Sequence, residues 1–74
     1  MTDPMKSVCN VAIHEADTAL VQIENCIAIL QFQEKKEEGE QRRSLVDQRE
    51  SLLDAKIAIK RAIRFVKQAM EVGA

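Results

Sequence analysis

The first half of the chain carries two stripes of side chains on opposite sides of one helix. The first stripe steps by four and three residues, as one side of an α-helix requires, through Cys9, Ile13, Ala16, Leu20, Ile23, Ile27 and Leu30. The second stripe lies opposite and consists of Val11, His14, Thr18, Val21, Asn25, Ile29 and Phe32. The rest of so small a chain can cover only one stripe. The pattern therefore predicts a long helix whose other side is held by a further protein chain.

The second half of the chain has a single main apolar row. It repeats every seven residues at Leu45, Leu52, Ile59 and Val66. Ile63 and Met70 extend this row on one side, and the other side holds Gln48, Ala55, Ala62 and Ala69. A heptad repeat is typical of a helix packed along another helix. The residues expected to lie buried where the two helices meet are Leu20, Ile27, Ile59 and Val66.

The boundaries of the helices follow from local signals. Asp3 is a good N-cap and Pro4 suits the first helical position. From Gln33 to Ser44 the sequence QEKKEEGEQRRS lacks any apolar side chain, and its Gly39 favours the left-handed conformation that ends a helix. We predict one domain over residues 1–74, with helix 1 at about 4–36, a turn at about 37–40 and helix 2 at about 41–70.

The predicted fold class is all-α, an antiparallel two-helix hairpin. The alternative is one continuous helix in a long coiled coil, which the charged stretch disfavours because it offers nothing to bury for more than three turns. Two glycines, one proline and the absence of hairpin dipeptides argue against a sheet. At 74 residues a single core gives little net stability. We therefore expect a dimeric four-helix bundle or coiled coil, not a monomer, at micromolar concentration.

The two cysteines do not predict a disulfide within the chain. Cys9 and Cys26 lie seventeen residues apart in one predicted helix, which separates them by roughly 25 Å, far beyond disulfide reach. They are expected to act as small hydrophobic residues, with a bridge between two chains as the alternative. The N-terminal sequence resembles neither a secretory signal nor a membrane span. We expect a cytoplasmic protein that does not bind membranes, with export by a route that uses no cleavable signal as the alternative.

Charge is balanced overall and segregated locally. The net charge is −1. Between Ser7 and Gln33 the charged residues are all acidic: Glu15, Asp17 and Glu24. Between Ala55 and Met70 they are all basic: Lys56, Lys60, Arg61, Arg64 and Lys67. An antiparallel hairpin brings these two segments side by side, so the charge pattern favours that pairing.

No residue pattern in the chain indicates catalysis. His14-Glu15 begins like the zinc-protease motif, but position 18 is Thr and the chain has a single histidine. Cys9 lacks both an orienting third group and the enclosed pocket in which a catalytic thiol is activated. We therefore predict that the chain is not an enzyme and uses no cofactor or metal.

The second stripe of helix 1 is the candidate functional site. Its members Val11, His14, Thr18, Val21, Asn25, Ile29 and Phe32 are expected to form a protein interface in which the polar members set the register. The alternative is that they are ordinary scattered surface residues. Phe32 favours the interface, because an aromatic side chain at the end of an exposed stripe is a typical anchor. The partner is expected to be a second copy in a homodimer, a helical protein, or both.

Two functions follow from these patterns. The first is a protein–protein interaction module that acts as chaperone, adaptor or inhibitor. In size and hairpin form the chain is similar to small helical chaperones of bacterial type III secretion and to small phage or bacterial regulators that capture a partner protein, although no motif links it to either group. The second is a nucleic-acid-associated regulator that uses a basic face on helix 2, formed by Arg49, Lys56, Lys60, Arg64 and Lys67. Nucleic acid is the less favoured partner, because the net charge is negative and no stacking aromatic residues accompany the cations.

Overall fold

The chain folds into two long helices joined by a short turn. A computed structural model describes residues 3–72 of the chain and the side chains of residues 4–71. Helix α1 spans Asp3–Glu34, helix α2 spans Gly39–Val72, and the two pack against each other. The prediction of an all-α helical hairpin is confirmed. One continuous helix is excluded, because residues 35–38 interrupt it.

The two helices run antiparallel. Near the turn, Glu34 of α1 contacts Arg49 of α2, and further along Glu24 contacts Lys56. Towards the open end of the hairpin, Ala12 and Ala62 line the same groove. From the turn to the open end of the hairpin, residue numbers decrease in α1 and increase in α2. The acidic segment of α1 lies beside the basic segment of α2, as the charge pattern predicted.

The turn lies slightly earlier in the chain than predicted. Helix α1 ends at Glu34 instead of residue 36, and α2 begins at Gly39 instead of residue 41 and continues to Val72. The backbone N–H of Lys36 donates to the carbonyl oxygen of Gln33 at 3.0 Å and closes the last turn of α1.

Gly39 is the only residue with a positive φ among those described, at 66°. It was expected to end helix 1, but it instead turns the chain into the start of α2. The capping role predicted for Asp3 depends on a side chain outside the described residues.

The first stripe of α1 faces α2. Its seven residues are all buried or half-buried, and Ile27 and Ile63 are the least exposed apolar residues described, at 8% and 9%. Of the four residues expected to be buried, Ile27 is buried, whereas Leu20, Ile59 and Val66 are only half-buried. The expectation for these three was wrong because two helices cover each other along a single line and leave both flanks of the contact open to water.

The hairpin is long and thin. It measures 54 × 15 × 11 Å, and its radius of gyration is 16.8 Å, against about 11 Å for a compact domain of this length. Its accessible surface is 5716 Å². A globular monomer of 8.4 kDa exposes about 4,600 Å². The single chain thus leaves about 1,100 Å² more surface in water than a globular monomer of equal mass would.

Candidate functional site

The second stripe of α1 points away from α2. All seven of its predicted members are exposed, on the opposite side of the helix from Ile27. Its four large apolar residues, Val11, Val21, Ile29 and Phe32, are between 53% and 59% exposed. We call these seven residues the outward stripe. Helix α2 lies on the other side of α1 and does not cover this apolar surface.

One polar residue of the outward stripe, Thr18, makes a hydrogen bond within α1. The hydroxyl of Thr18 donates to the backbone carbonyl oxygen of His14 at 3.0 Å, one turn earlier in the same helix. This local bond satisfies the hydroxyl without a partner molecule and turns the polar end of Thr18 back onto the backbone. The side chain of Thr18 can therefore enter an apolar interface without a lost hydrogen bond.

Phe32 lies under a lysine of the turn that follows α1. The Nζ atom of Lys36 stands 4.2 Å from the centroid of the Phe32 ring, a cation–π contact between residues four apart. One face of the ring is thereby partly covered, and the residue remains 59% exposed. At an exposed position such a contact contributes about 0.5–1 kcal/mol. Lys36 orients the ring at the turn end of the outward stripe.

An ion pair continues the helix–helix contact toward the turn. Glu34 occupies the core position four residues after Leu30 and is 7% exposed. Arg49 Nε donates to Glu34 Oε2 at 2.9 Å, and this hydrogen bond raises the pKa of Arg49. The charged stretch from Gln33 to Ser44 was predicted to contribute nothing to the core, and for Glu34 this was wrong. Its heptad spacing from Ile27, with a basic residue at the matching position of α2, was the available signal.

The predicted basic face is partly used within the hairpin. Arg49 pairs with Glu34, and the Nζ atom of Lys56 lies 3.4 Å from Glu24 Oε1. The other predicted cations, Lys60, Arg64 and Lys67, line an open depression together with Glu71. The structure thus divides the five predicted cations into two that join the helices and three that line the surface.

Several exposed apolar residues lie outside the predicted stripes. Met5, Val8 and Phe65 are 54%, 64% and 60% exposed. Ile57 and Leu53 are also exposed, and Val46 is half-buried. Phe65 was missed because the prediction for helix 2 followed the heptad row, which contains Val66 but not Phe65.

A shallow apolar groove runs between the helices near the open end of the hairpin. Its volume is about 170 Å³, and its lining residues are Ala12, Ile13, Ala16, Ala62, Ile63 and Val66. The groove exists because alanine at positions 12, 16 and 62 leaves the space between the two backbones unfilled.

Other kinds of site are absent from the residues that the structure describes. Among them, no three His, Cys, Asp or Glu residues are grouped closely enough to hold a metal ion. Neither described helix has an apolar stretch of the length needed to cross a lipid bilayer. Cys9 and Cys26 both carry free thiols.

The chain was compared with protein-family models, with curated proteins and with solved structures, and none of them matches it.

Proposed function

We propose that this protein is a non-enzymatic binding module that captures a helical protein partner through the outward stripe of α1. The observation that carries the proposal is the exposure of Val11, Val21, Ile29 and Phe32, each more than half exposed on one continuous side of one helix. Apolar residues at this spacing fit the apolar face of another helix. Chaperone, adaptor and inhibitor are the roles that such a capture surface serves.

The charged residues beside the outward stripe indicate which charges the partner carries. Glu15, Asp17 and Glu24 are the charged residues between Ser7 and Gln33, and this segment has no lysine or arginine. Glu24 is engaged with Lys56, whereas Glu15 and Asp17 are exposed on either side of the stripe. Electrostatic complementarity favours a partner helix whose apolar face is bordered by lysine or arginine.

The proposal is tested by placing charges in the outward stripe. Val21→Glu with Phe32→Glu is expected to leave the hairpin folded, because both side chains point away from α2. Capture of the partner should weaken strongly, because interface anchors contribute more to binding than to folding. The measurement is affinity capture from the native cell with tagged wild-type and variant proteins, followed by titration of the captured protein.

The matched control is Leu53→Glu with Ile57→Glu. It removes two exposed apolar side chains and adds the same charge, but on α2. A partner retained by the wild type and by this control, and lost by the outward-stripe variant, supports the proposal. A partner that is retained equally by all three proteins contradicts it.

The nucleic-acid function is tested by a separate binding experiment with heparin and duplex DNA. Lys60→Gln, Arg64→Gln and Lys67→Gln remove exposed cations and leave the Glu24–Lys56 and Glu34–Arg49 pairs intact. If the wild type binds heparin and duplex DNA at low salt and this variant does not, while the outward-stripe variant still binds both, the basic face is the functional one. That result overturns the proposal.

A further inference from the structure

The two sides of the hairpin differ sharply in charge. On one side, the row next to the core repeats every seven residues in α1 as Met5, Ala12, Ala19, Cys26 and Gln33. The corresponding row in α2 is Gln41, Gln48, Ala55, Ala62 and Ala69. Ala12 and Ala62 line the same groove, which places both rows on one side of the hairpin. We call these ten residues the neutral face, because none of them is charged.

The opposite side holds charged residues in the matching rows. Asp17 and Glu24 occupy the row of α1 on that side, and Lys60 and Lys67 occupy the row of α2. The Glu24–Lys56 pair joins the helices on this side. Burying this side under another protein would remove many charges from water, which is costly. Burying the neutral face carries no such cost.

The neutral face combines an apolar groove with projecting apolar side chains. The groove of about 170 Å³ lies between Ala12 and Ala62. Val8 lies one turn before Ala12, and Phe65 lies one turn after Ala62, so both border the same side of the hairpin. They are the two large apolar residues with the highest exposure among those described, at 64% and 60%. A two-fold interface requires a surface that complements itself, and a groove beside projecting side chains meets that requirement.

We propose that a second copy of this chain packs on the neutral face, so that two hairpins form a four-helix bundle. Each copy exposes about 1,100 Å² more surface than a globular monomer of its mass, and a standard interface buries about 800 Å² per partner. The excess surface of the whole hairpin is therefore larger than the share that one partner contributes to a standard interface. The middle of the neutral face is formed by small residues, with Ala12, Ala19 and Cys26 in α1 and Ala55, Ala62 and Ala69 in α2. Small side chains allow helix axes to approach at the close end of the usual packing range.

Charge decides between the two apolar surfaces as the place for a second copy. Glu15 borders the neutral face as well as the outward stripe, whereas Asp17 borders the outward stripe only. Pairing two outward stripes would bring both acidic residues of one copy close to those of the other, and like charges across an interface are unfavourable. Pairing two neutral faces brings only Glu15 of each copy near the interface, because the row of α2 that borders this face is uncharged. This inference goes beyond the proposed function, because it assigns self-association to a different face and leaves the outward stripe free for a partner.

The test is the dimer dissociation constant measured by sedimentation equilibrium. The wild-type protein is expected to be a dimer at micromolar concentration. Ala62→Glu with Phe65→Glu should raise the dissociation constant at least about 100-fold, because each dimer would bury four added carboxylates. The matched control is Ala28→Glu with Ile57→Glu, which adds the same charge at exposed positions outside the neutral face. Its dissociation constant should stay within about threefold of the wild-type value.

Both substituted positions are exposed in the single hairpin, so helical circular dichroism should persist. If the double variant unfolds, Ala62→Gln is compared with Ala28→Gln, which adds bulk without charge, and only the first should weaken the dimer. A monomeric wild-type protein overturns the inference. So does a dimer that survives the neutral-face substitutions but dissociates with Val21→Glu and Phe32→Glu, a result that would leave the outward stripe as the binding surface.

Discussion

The helix–helix contact can be tested with two isoleucines that lie two residues apart in α1. Ile27 faces α2 and is 8% exposed, whereas Ile29 belongs to the outward stripe and is 59% exposed. Substituting either residue by alanine deletes the same atoms. The two variants therefore share their chemistry and their effect on helix propensity, and they differ only in what the side chain contacts.

The expected magnitude follows from this burial. Removing three buried carbon atoms costs about 0.8 kcal/mol for each, and the better helix propensity of alanine offsets a few tenths of a kcal/mol. Ile27→Ala should thus lower the free energy of unfolding by about 2 kcal/mol, the low end for core substitutions, because an open two-helix contact can relax into the space left. Ile29→Ala should change it by no more than about 0.5 kcal/mol.

The assay is thermal unfolding followed by far-ultraviolet circular dichroism at one fixed protein concentration. For a domain of this size, about 2 kcal/mol corresponds to a fall in Tm of roughly 8–16 °C, and the total net stability is only a few kcal/mol. Ile27→Asp should unfold the chain altogether, because the carboxylate would lack a partner. An Ile27→Ala variant that melts at the wild-type temperature would refute the assignment of this stripe to the contact with α2.

Other predictions concern the turn and the ion pair next to it. Gly39→Ala should cost about 1–2 kcal/mol, measured by urea unfolding, because an L-residue is strained at a φ of 66° even though a Cβ there meets no atom within 4 Å. Gly39→Asn should cost less, because asparagine tolerates the left-handed region better; equal losses would contradict this reasoning. Glu34→Gln should lower Tm, because it leaves Arg49 without its charged partner. The hydrogen bond raises the pKa of Arg49 in the folded protein. The contribution of this shift to folding stability is fully present at any pH below the ordinary pKa of arginine, and it is lost only when the pH exceeds the raised pKa. Titration of Arg49 should therefore add no pH dependence near neutrality to the Tm difference between the wild type and Glu34→Gln; a difference that disappears as the pH rises from 7 to about 9 would contradict this.

The sequence by itself determined the two helices, the side of each that faces the other, and the stripe left outside. The four-and-three spacing from Cys9 to Leu30 was sufficient because a helix displays residues at that spacing on one side whatever its neighbours are. The charge segregation was sufficient to indicate the antiparallel direction, and the Glu24–Lys56 contact agrees with it.

The tertiary structure decided which members of these stripes are covered and by how much. Leu20, Ile59 and Val66 have the same pattern as Ile27, yet they remain half-buried. Burial depends on where the neighbouring helix lies closest, and that distance is set by the side chains of both helices together. The burial of Glu34 also depends on both helices. Arg49 lies opposite Glu34 only because the turn at residues 35–38 places α2 alongside α1.

The neutral face also required the tertiary structure. The row of the neutral face in α2 can be identified from the sequence. The row of α1 on the same side cannot, because it depends on the direction of α2 and on the rotation of α2 about its own axis. The groove shared by Ala12 and Ala62 gives that answer. Periodicity assigns residues to the sides of a single helix, whereas a surface built from two helices depends on their relative placement, which the spacing within either helix does not contain.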